Sequence, residues 1–265
     1  MRLIENYLDQ YGLITHRPPM APYFGTPNGG DTLAREGSFF SLAYFLSPED
    51  KETFNLNKKL YNKSLGYLEK AGIWIRHPDY PWNGRFKPNP WATSRDQMKP
   101  NIIAMGIYGL NSHLLRFLWR VLKRGILFGY QNRDVFFFID AAMVLRAVPK
   151  IAKPLLVIST LLAYFSPWFL LPLSILCLGD LQALLEVLYR ISIKDPEDVG
   201  DDVNLTLGLI QGKYFLETPI SWLSWHIYKK YRDPLRCWQV YFKESIGAPP
   251  LEEYLALVLK RRELS

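Results

Sequence analysis

The order of apolar and polar positions along the chain predicts helices almost throughout. Amphipathic runs with helical spacing recur between turn signals, and Asp31, after Gly29-Gly30, has the position of a helix N-cap. Proline stands repeatedly where the first residue of a helix belongs, because its missing N–H is not needed there. Period-two alternation is confined to short pieces such as Ile73 to Arg76. The pattern therefore predicts an all-α fold.

Counting these helix starts predicts about eleven helices. Their approximate ranges are 31–46, 54–70, 94–110, 112–124, 134–148, 154–166, 168–193, 201–216, 218–231, 233–243 and 249–262. Most connections between them are short, which favours antiparallel neighbours, that is, stacked helical hairpins. No linker separates two domains, so we expect residues 1–265 to form a single helical domain.

The one long irregular stretch is a loop at 71–93, rich in proline and aromatic residues. It includes the run His77-Pro78-Asp79-Tyr80-Pro81-Trp82. Loops of this length inside a compact domain are usually either functional or disordered, and the aromatic content argues against disorder. We therefore expect this loop to take part in binding.

A second unusual stretch is free of charged residues and runs from Pro154 to Gly179. It is long enough to span a bilayer. However, Ser166-Pro167 and Pro172 break it near the middle, and the backbone groups that proline frees would need partners within lipid. We therefore expect two shorter buried helices joined at Ser166-Pro167. A membrane-surface contact or a transmembrane helix through 154–178 is the alternative.

Composition and charge narrow the choice of function only slightly. Hydrophobic residues make up 49% of the chain and aromatic residues 15%, more than a disordered chain carries. The net charge of +7 permits nucleic acid, an anionic membrane or a uronic-acid polymer as partner without requiring one. No nucleic-acid-binding module is recognisable, so no specific nucleic acid is predicted. One basic cluster is interpreted as a solvated helix face: Arg116, Arg120, Lys123 and Arg124.

Several kinds of site find no support in the sequence. Cys177 lies in an apolar run and Cys237 is next to Trp238, and the four histidines lack metal-ligand spacing, so neither a disulfide framework nor a metal nor another cofactor is predicted. Nucleotide-binding loops and a nucleophile elbow are also missing from the sequence. Residues 1–11 lack the apolar core of a secretory signal, so we expect synthesis in the cytoplasm.

The candidate functional residues are polar groups at or near the starts of apolar helices. Four such groups stand out: Asp31 with Arg35 and Glu36; Arg95, Asp96 and Gln97; Asp140 with Arg146; and Asp202 with Asn204. Each group alone is typical of a helix cap or an ion pair, because helix N-termini favour carboxylates. If the hairpins close into a ring, alternate helix starts meet at one end beside the aromatic loop. Such a rim would form a binding pocket.

The motifs also carry a resemblance. They are Gly29-Gly30-Asp31 with Arg35-Glu36-Gly37, Arg76-His77-Pro78-Asp79, Ser94-Arg95-Asp96-Gln97, Asp201-Asp202-Val203-Asn204 and Gly247-Ala248-Pro249-Pro250-Leu251. Together they resemble a group of uncharacterised bacterial and bacteriophage proteins, whose hairpin pattern is similar to that of six-hairpin glycosidase-like (α/α) toroids. The resemblance implies a funnel in which carboxylates at helix ends act on sugar polymers. Only Asp31, Asp96 and Asp202 match that expectation, and the chain is shorter than typical toroid enzymes.

Cleavage of a glycan would need an acid and a base on either side of the glycosidic bond. Asp96 is the predicted acid, because Arg95 and apolar neighbours can shift its pKa. Asp31 is the predicted base. The candidates for substrate binding are Arg35, Glu36, His77, Asp79, Tyr80, Trp82, Trp91, Arg95, Gln97, Asp202 and Asn204. In a lyase, His77 or Tyr80 would be the base, and Arg35 or Arg95 would neutralise a uronate.

The sequence thus favours a glycan-binding or glycan-cleaving protein of hydrolase or lyase type, with a polysaccharide as partner. The alternative is a non-catalytic structural or interaction protein, such as a virion or assembly component with protein partners. Membrane association through 154–178 is a further variant of that alternative.

Overall fold

A computed structural model describes residues 11–14, 32–46, 51–70, 73–78, 93–128, 134–192 and 199–232. In these residues the helices, numbered in chain order, are α1 Thr32–Leu46, α2 Lys51–Leu68, α3 Arg95–Ile107, α4 Asn111–Lys123, α5 Phe138–Ala147, α6 Pro149–Leu162, α7 Leu171–Ser192, α8 Val199–Tyr214 and α9 Pro219–Tyr231. A 3-10 turn, Pro167–Leu170, precedes α7. The predicted all-α class is confirmed.

The β structure of the described residues consists of two minimal antiparallel pairs. Strand β1, Glu69–Lys70, pairs with β2, Ile73–Trp74. Strand β3, Leu127–Phe128, pairs with β4, Asp134–Val135. Both pairs close the chain between helices, so the core is built mainly from helices, and Leu13, Ile14 and Trp74 join it from outside them.

Helix α3 is the central element of the described fold, and it packs against α1, α4, α5 and α8. Every residue from 97 to 105 is buried, including the polar Lys99 and Asn101. Helices α1 and α3 approach closely, because a Cβ on Gly37 would lie 2.6 Å from the backbone nitrogen of Asn101. Only glycine permits this approach, and because α3 is covered on several sides its polar groups need partners inside the protein.

Most predicted helix ranges agree with the structure to within a few residues, but two predictions are wrong. The helix expected at 134–148 begins only at Phe138, because 134–135 form β4. The helix expected to begin at Pro154 begins at Pro149, and Pro154 lies inside it. Either proline suits the first turn of a helix, so the pattern alone did not distinguish them. The helices predicted at 233–243 and 249–262 lie outside the described residues.

Helices α6 and α7 pack against each other across the 3-10 turn. The predicted break at Ser166-Pro167 is confirmed, but the prediction that this hairpin is buried is wrong. On α6 only Ala152 and Ser159 are buried. The hairpin is anchored at its base, where α7 packs against α5 and α9, and this packing leaves the outer surfaces of the hairpin exposed.

Candidate functional site

Polar residues from three helix starts meet where α3, α5 and α8 begin. Arg95 donates from Nε to both carboxylate oxygens of Asp140, at 2.9 and 3.2 Å. Asp140 also accepts from the backbone N–H of Phe137 at 2.9 Å and so caps α5. Asn204 donates from Nδ2 to the backbone oxygen of Asp96 at 3.1 Å. Residues from three of the predicted polar groups are therefore neighbours in space.

The charged groups at this point pair mainly with one another. The Asp140 carboxylate is buried and paired with Arg95, whose guanidinium carbon lies 4.7 Å from the centre of the Phe137 ring. Because Arg95 already pairs with a buried carboxylate and packs on an aromatic ring, it is less available to bind the carboxylate of a uronate. Asp96 differs because it is exposed in the first turn of α3.

Arg35, Glu36 and His77 are fully buried and do not line an open surface. Glu36 Oε1 accepts from the backbone N–H of Ile14 at 2.7 Å. The His77 ring lies edge-on to Tyr11, with 5.8 Å between the ring centres. These contacts fasten the described residues of the N-terminal segment, 11–14, to α1 and to the chain after β2. Glu36 and His77 therefore help to hold the interior of the fold together, Glu36 through a hydrogen bond and His77 through a ring contact.

An interior network that the sequence did not indicate is centred on Asn101. Its Nδ2 donates to the backbone oxygens of Leu33 and Gln97, at 2.8 and 2.7 Å, and its Oδ1 accepts from the hydroxyl of Tyr61 at 2.7 Å. Burial raises the pKa of Tyr61 well above its ordinary value, and the negative charge of Glu36 raises it further. The network joins α1, α2 and α3. Asn101 follows Lys99 and Pro100 in the sequence, and nothing there distinguishes it from a surface residue.

The remaining predicted residues are either buried or beyond the described residues. Gln97 is buried on α3. The predicted base Asp31 lies outside the described residues, and so does the side chain of Asp202. Four candidates from the aromatic loop also lie outside them: Asp79, Tyr80, Trp82 and Trp91. The predicted Asp31–Asp96 pair therefore stays a prediction.

Comparisons with known proteins do not assign the chain to a family. No family model matches it, and neither curated proteins nor solved structures gave a significant match.

A further buried ion pair joins α5, α7 and the start of α9. Arg146 Nη2 lies 2.7 Å from Asp180 Oδ1, and Thr218 donates to Asp180 Oδ2 at 2.6 Å. A cavity of about 10 Å³ beside it has room for about one water molecule and is too small for a sugar. Within the described ranges, no group of His, Cys, Asp or Glu is arranged to hold a metal ion.

The most exposed apolar surface in the described part of the chain is the tip of the α6–α7 hairpin. We define the hairpin tip as residues 154–175, which end before the buried Leu176. Its most exposed side chains are Leu161 (70%), Tyr164 (91%), Phe165 (78%) and Trp168 (82%). The stretch Pro167–Ser192 has the length and composition of a membrane span, and only 17% of its most apolar window is buried. Apolar surface of this extent marks an interaction site.

Along the sequence, the charged residues nearest the hairpin tip flank its base. Lys150 and Lys153 precede it on α6, and Asp180 follows it on α7. The Asp180 carboxylate is buried and neutralised by Arg146. The hairpin tip is therefore uncharged, and the exposed charges nearest to it in the sequence are basic.

Proposed function

We propose that this protein is a membrane-associated helical protein that inserts the tip of its α6–α7 hairpin into one leaflet of a bilayer. The observation that carries the proposal is the exposure of apolar side chains around the hairpin tip, with no charge from Pro154 to Gly179. The hairpin is the part of the described fold that water solvates least well.

The exposed side chains are not confined to one stripe. Val157 and Ile158 are adjacent in sequence, so they point in directions about 100° apart on α6, and both are exposed. Leu155 and Leu161 are exposed as well. A partner helix covers one stripe of such a helix, whereas lipid chains surround it. The distribution therefore favours a bilayer over a protein groove.

Several polar donors in and beside the turn are hydrogen-bonded within the hairpin, as insertion into lipid requires. The N–H groups of Phe165 and Ser166 donate to the Leu162 oxygen at 2.9 and 3.3 Å, and Phe169 N donates to Ser166 O at 3.1 Å. The Ser159 and Thr160 hydroxyls both donate to the Leu156 oxygen, at 3.0 and 2.7 Å. Each of these donors would cost several kcal/mol if it were unpaired in hydrocarbon.

The reach of the hairpin fits one leaflet. Residues 154–162 of α6 rise about 13 Å at helical spacing. Half of the bilayer hydrocarbon core is about 15 Å thick. A hairpin of this size enters a leaflet and returns to the same side, so Lys150 and Lys153 stay near the headgroups.

Flotation with phosphatidylcholine vesicles tests the proposal. The unaltered protein should float with the vesicles. Tyr164→Asp should lower its partition at least about tenfold, because a carboxylate within a bilayer costs roughly 2.5–3.5 kcal/mol. The matched control, Tyr231→Asp, changes an exposed tyrosine on α9 and should have no effect.

Two results would contradict the proposal. One is an unaltered protein that stays with the aqueous fraction. The other is a concentration-dependent dimer that Tyr164→Asp dissociates, which would assign the hairpin tip to a second copy of the chain. Light scattering during size-exclusion chromatography distinguishes the dimer from the monomer.

The toroidal arrangement of antiparallel hairpins and the glycan site stay proposals from the sequence. What supports them is the meeting of the starts of α3, α5 and α8, with Asp96 exposed at that point. They further require that Asp31 and Asp96 face one cleft.

A further inference from the structure

Helix α4 exposes an apolar surface that the hairpin does not explain. One side of α4 packs into the core through Leu114, Phe117 and Val121. A second apolar row lies on another side, at spacings of four and three residues: Leu115, Trp119 and Leu122. These three side chains are 61% to 64% exposed. We call them the apolar row.

A row of cations runs beside the apolar row. Each apolar residue is followed directly by a basic one, and these form the basic row: Arg116, Arg120 and Lys123. Helical geometry places the two rows about 100° apart. The Lys123 ammonium lies 4.9 Å from the centre of the Trp119 ring. No acidic residue occurs from Asn111 to Ile126.

Among the residues that the structure describes, the Glu69 carboxylate faces this helix. Arg116 Nη2 lies 2.6 Å from Glu69 Oε2, and that pairing raises the pKa of Arg116. His113 also contacts the same carboxylate, at 2.6 Å. Glu69 offsets one of the cations that α4 carries, and Lys123 lies exposed in the last turn of the same helix.

We infer that α4 rests on the surface of an anionic phospholipid bilayer, with the apolar row among the acyl chains and the basic row at the phosphates. The inference deepens the proposed membrane association and rests on it. Lysine and arginine can keep their charged groups at the headgroups while their stems lie along apolar surface. An amphipathic helix with tryptophan and leucine beside arginine and lysine is the pattern typical of interfacial binding.

The composition of the two rows favours lipid over nucleic acid. Binding to a nucleic-acid backbone is driven by cations at phosphates and gains little from three large exposed apolar side chains. A membrane interface accommodates both rows at once. The sequence alone suggested a solvated basic face, and the exposed apolar row beside it changes that interpretation.

The test compares vesicles of phosphatidylcholine alone with vesicles that also contain phosphatidylglycerol. The unaltered protein should bind the anionic vesicles at least about tenfold more tightly, and added salt should reduce the difference. Lys123→Glu changes the charge by two and should lower binding to anionic vesicles about thirtyfold, while binding to neutral vesicles stays unchanged. The matched control is Lys229→Glu, because Lys229 is also an exposed lysine in the last turn of its helix.

A second variant tests the apolar row. Trp119→Ser should weaken binding to anionic vesicles and leave the salt dependence intact. The inference is overturned if the protein shows no preference for phosphatidylglycerol, or if Lys123→Glu and Lys229→Glu behave alike. It is also overturned if Lys123→Glu abolishes retention on duplex DNA while vesicle binding is unaffected. Failure of the hairpin proposal is distinct, because it appears as loss of binding to neutral vesicles.

Discussion

Two buried tyrosines make the interior sensitive to alkaline pH. The Tyr61 hydroxyl donates to Asn101 Oδ1, and the Tyr108 hydroxyl donates to the Phe40 backbone oxygen at 2.8 Å. Burial raises the pKa of both phenols above the ordinary value. The unfolded chain loses these protons near pH 10, whereas the folded chain keeps them. The free energy of unfolding therefore falls as the pH rises above about 10.

Replacing Tyr61 separates the two contributions of its hydroxyl. Tyr61→Phe should lower the free energy of unfolding at pH 8 by about 1–3 kcal/mol, because Asn101 loses a buried donor. It should also reduce the alkaline loss, by up to about 1.4 kcal/mol per pH unit. Urea unfolding at pH 8 and pH 11 measures both effects. Tyr67→Phe, at an exposed tyrosine on the same helix, should change neither, and an unaltered pH slope in Tyr61→Phe would refute the account.

Individual polar residues were easier to predict than their partners. Arg95 and Asp140 stand out in the sequence because they interrupt apolar helices, but they are 45 residues apart and nothing local indicates that they pair. Asn101 has no comparable signal, since a polar residue that follows Lys99 and Pro100 is equally typical of a surface position. Pairing depends on how helices pack, and packing is not encoded in local spacing.

Helix positions were largely predictable, because caps and prolines act locally. Whether the α6–α7 hairpin is buried or exposed was not predictable from the sequence. A helix without charged residues is equally expected in a protein core and in lipid, and sequence composition cannot distinguish these surroundings. Only the packing of the base against α5 and α9 shows that the hairpin tip is left uncovered.

The close approach of α1 and α3 gives a second stability prediction. Gly37→Ala should lower the free energy of unfolding by about 1–3 kcal/mol, because the added methyl group would press on the backbone of α3 near Asn101. Gly66→Ala is the matched control, since Gly66 lies on α2 with no atom within 4 Å of an added Cβ. It should raise the free energy of unfolding by about 0.5–1 kcal/mol. Equal effects in urea unfolding would contradict the described packing.

The chain is net basic, but the tip of its α6–α7 hairpin carries no charge. Two buried carboxylates are paired across helices, Asp140 with Arg95 and Asp180 with Arg146, and these pairs join α5 to α3 and α7. The hairpin tip carries no charge and is apolar on more than one side. Insertion of the hairpin tip into a bilayer would remove this exposed apolar surface from water.

Quenching of Trp168 fluorescence by lipids brominated on their acyl chains tests this insertion most directly. The chain has eight tryptophans, and Trp168 is the one within the hairpin tip. In neutral vesicles, we expect clear quenching of the unaltered protein, the same quenching in Trp222→Phe, and loss of most of it in Trp168→Phe. Quenching that survives Trp168→Phe unchanged, or its absence from the unaltered protein, would contradict the account.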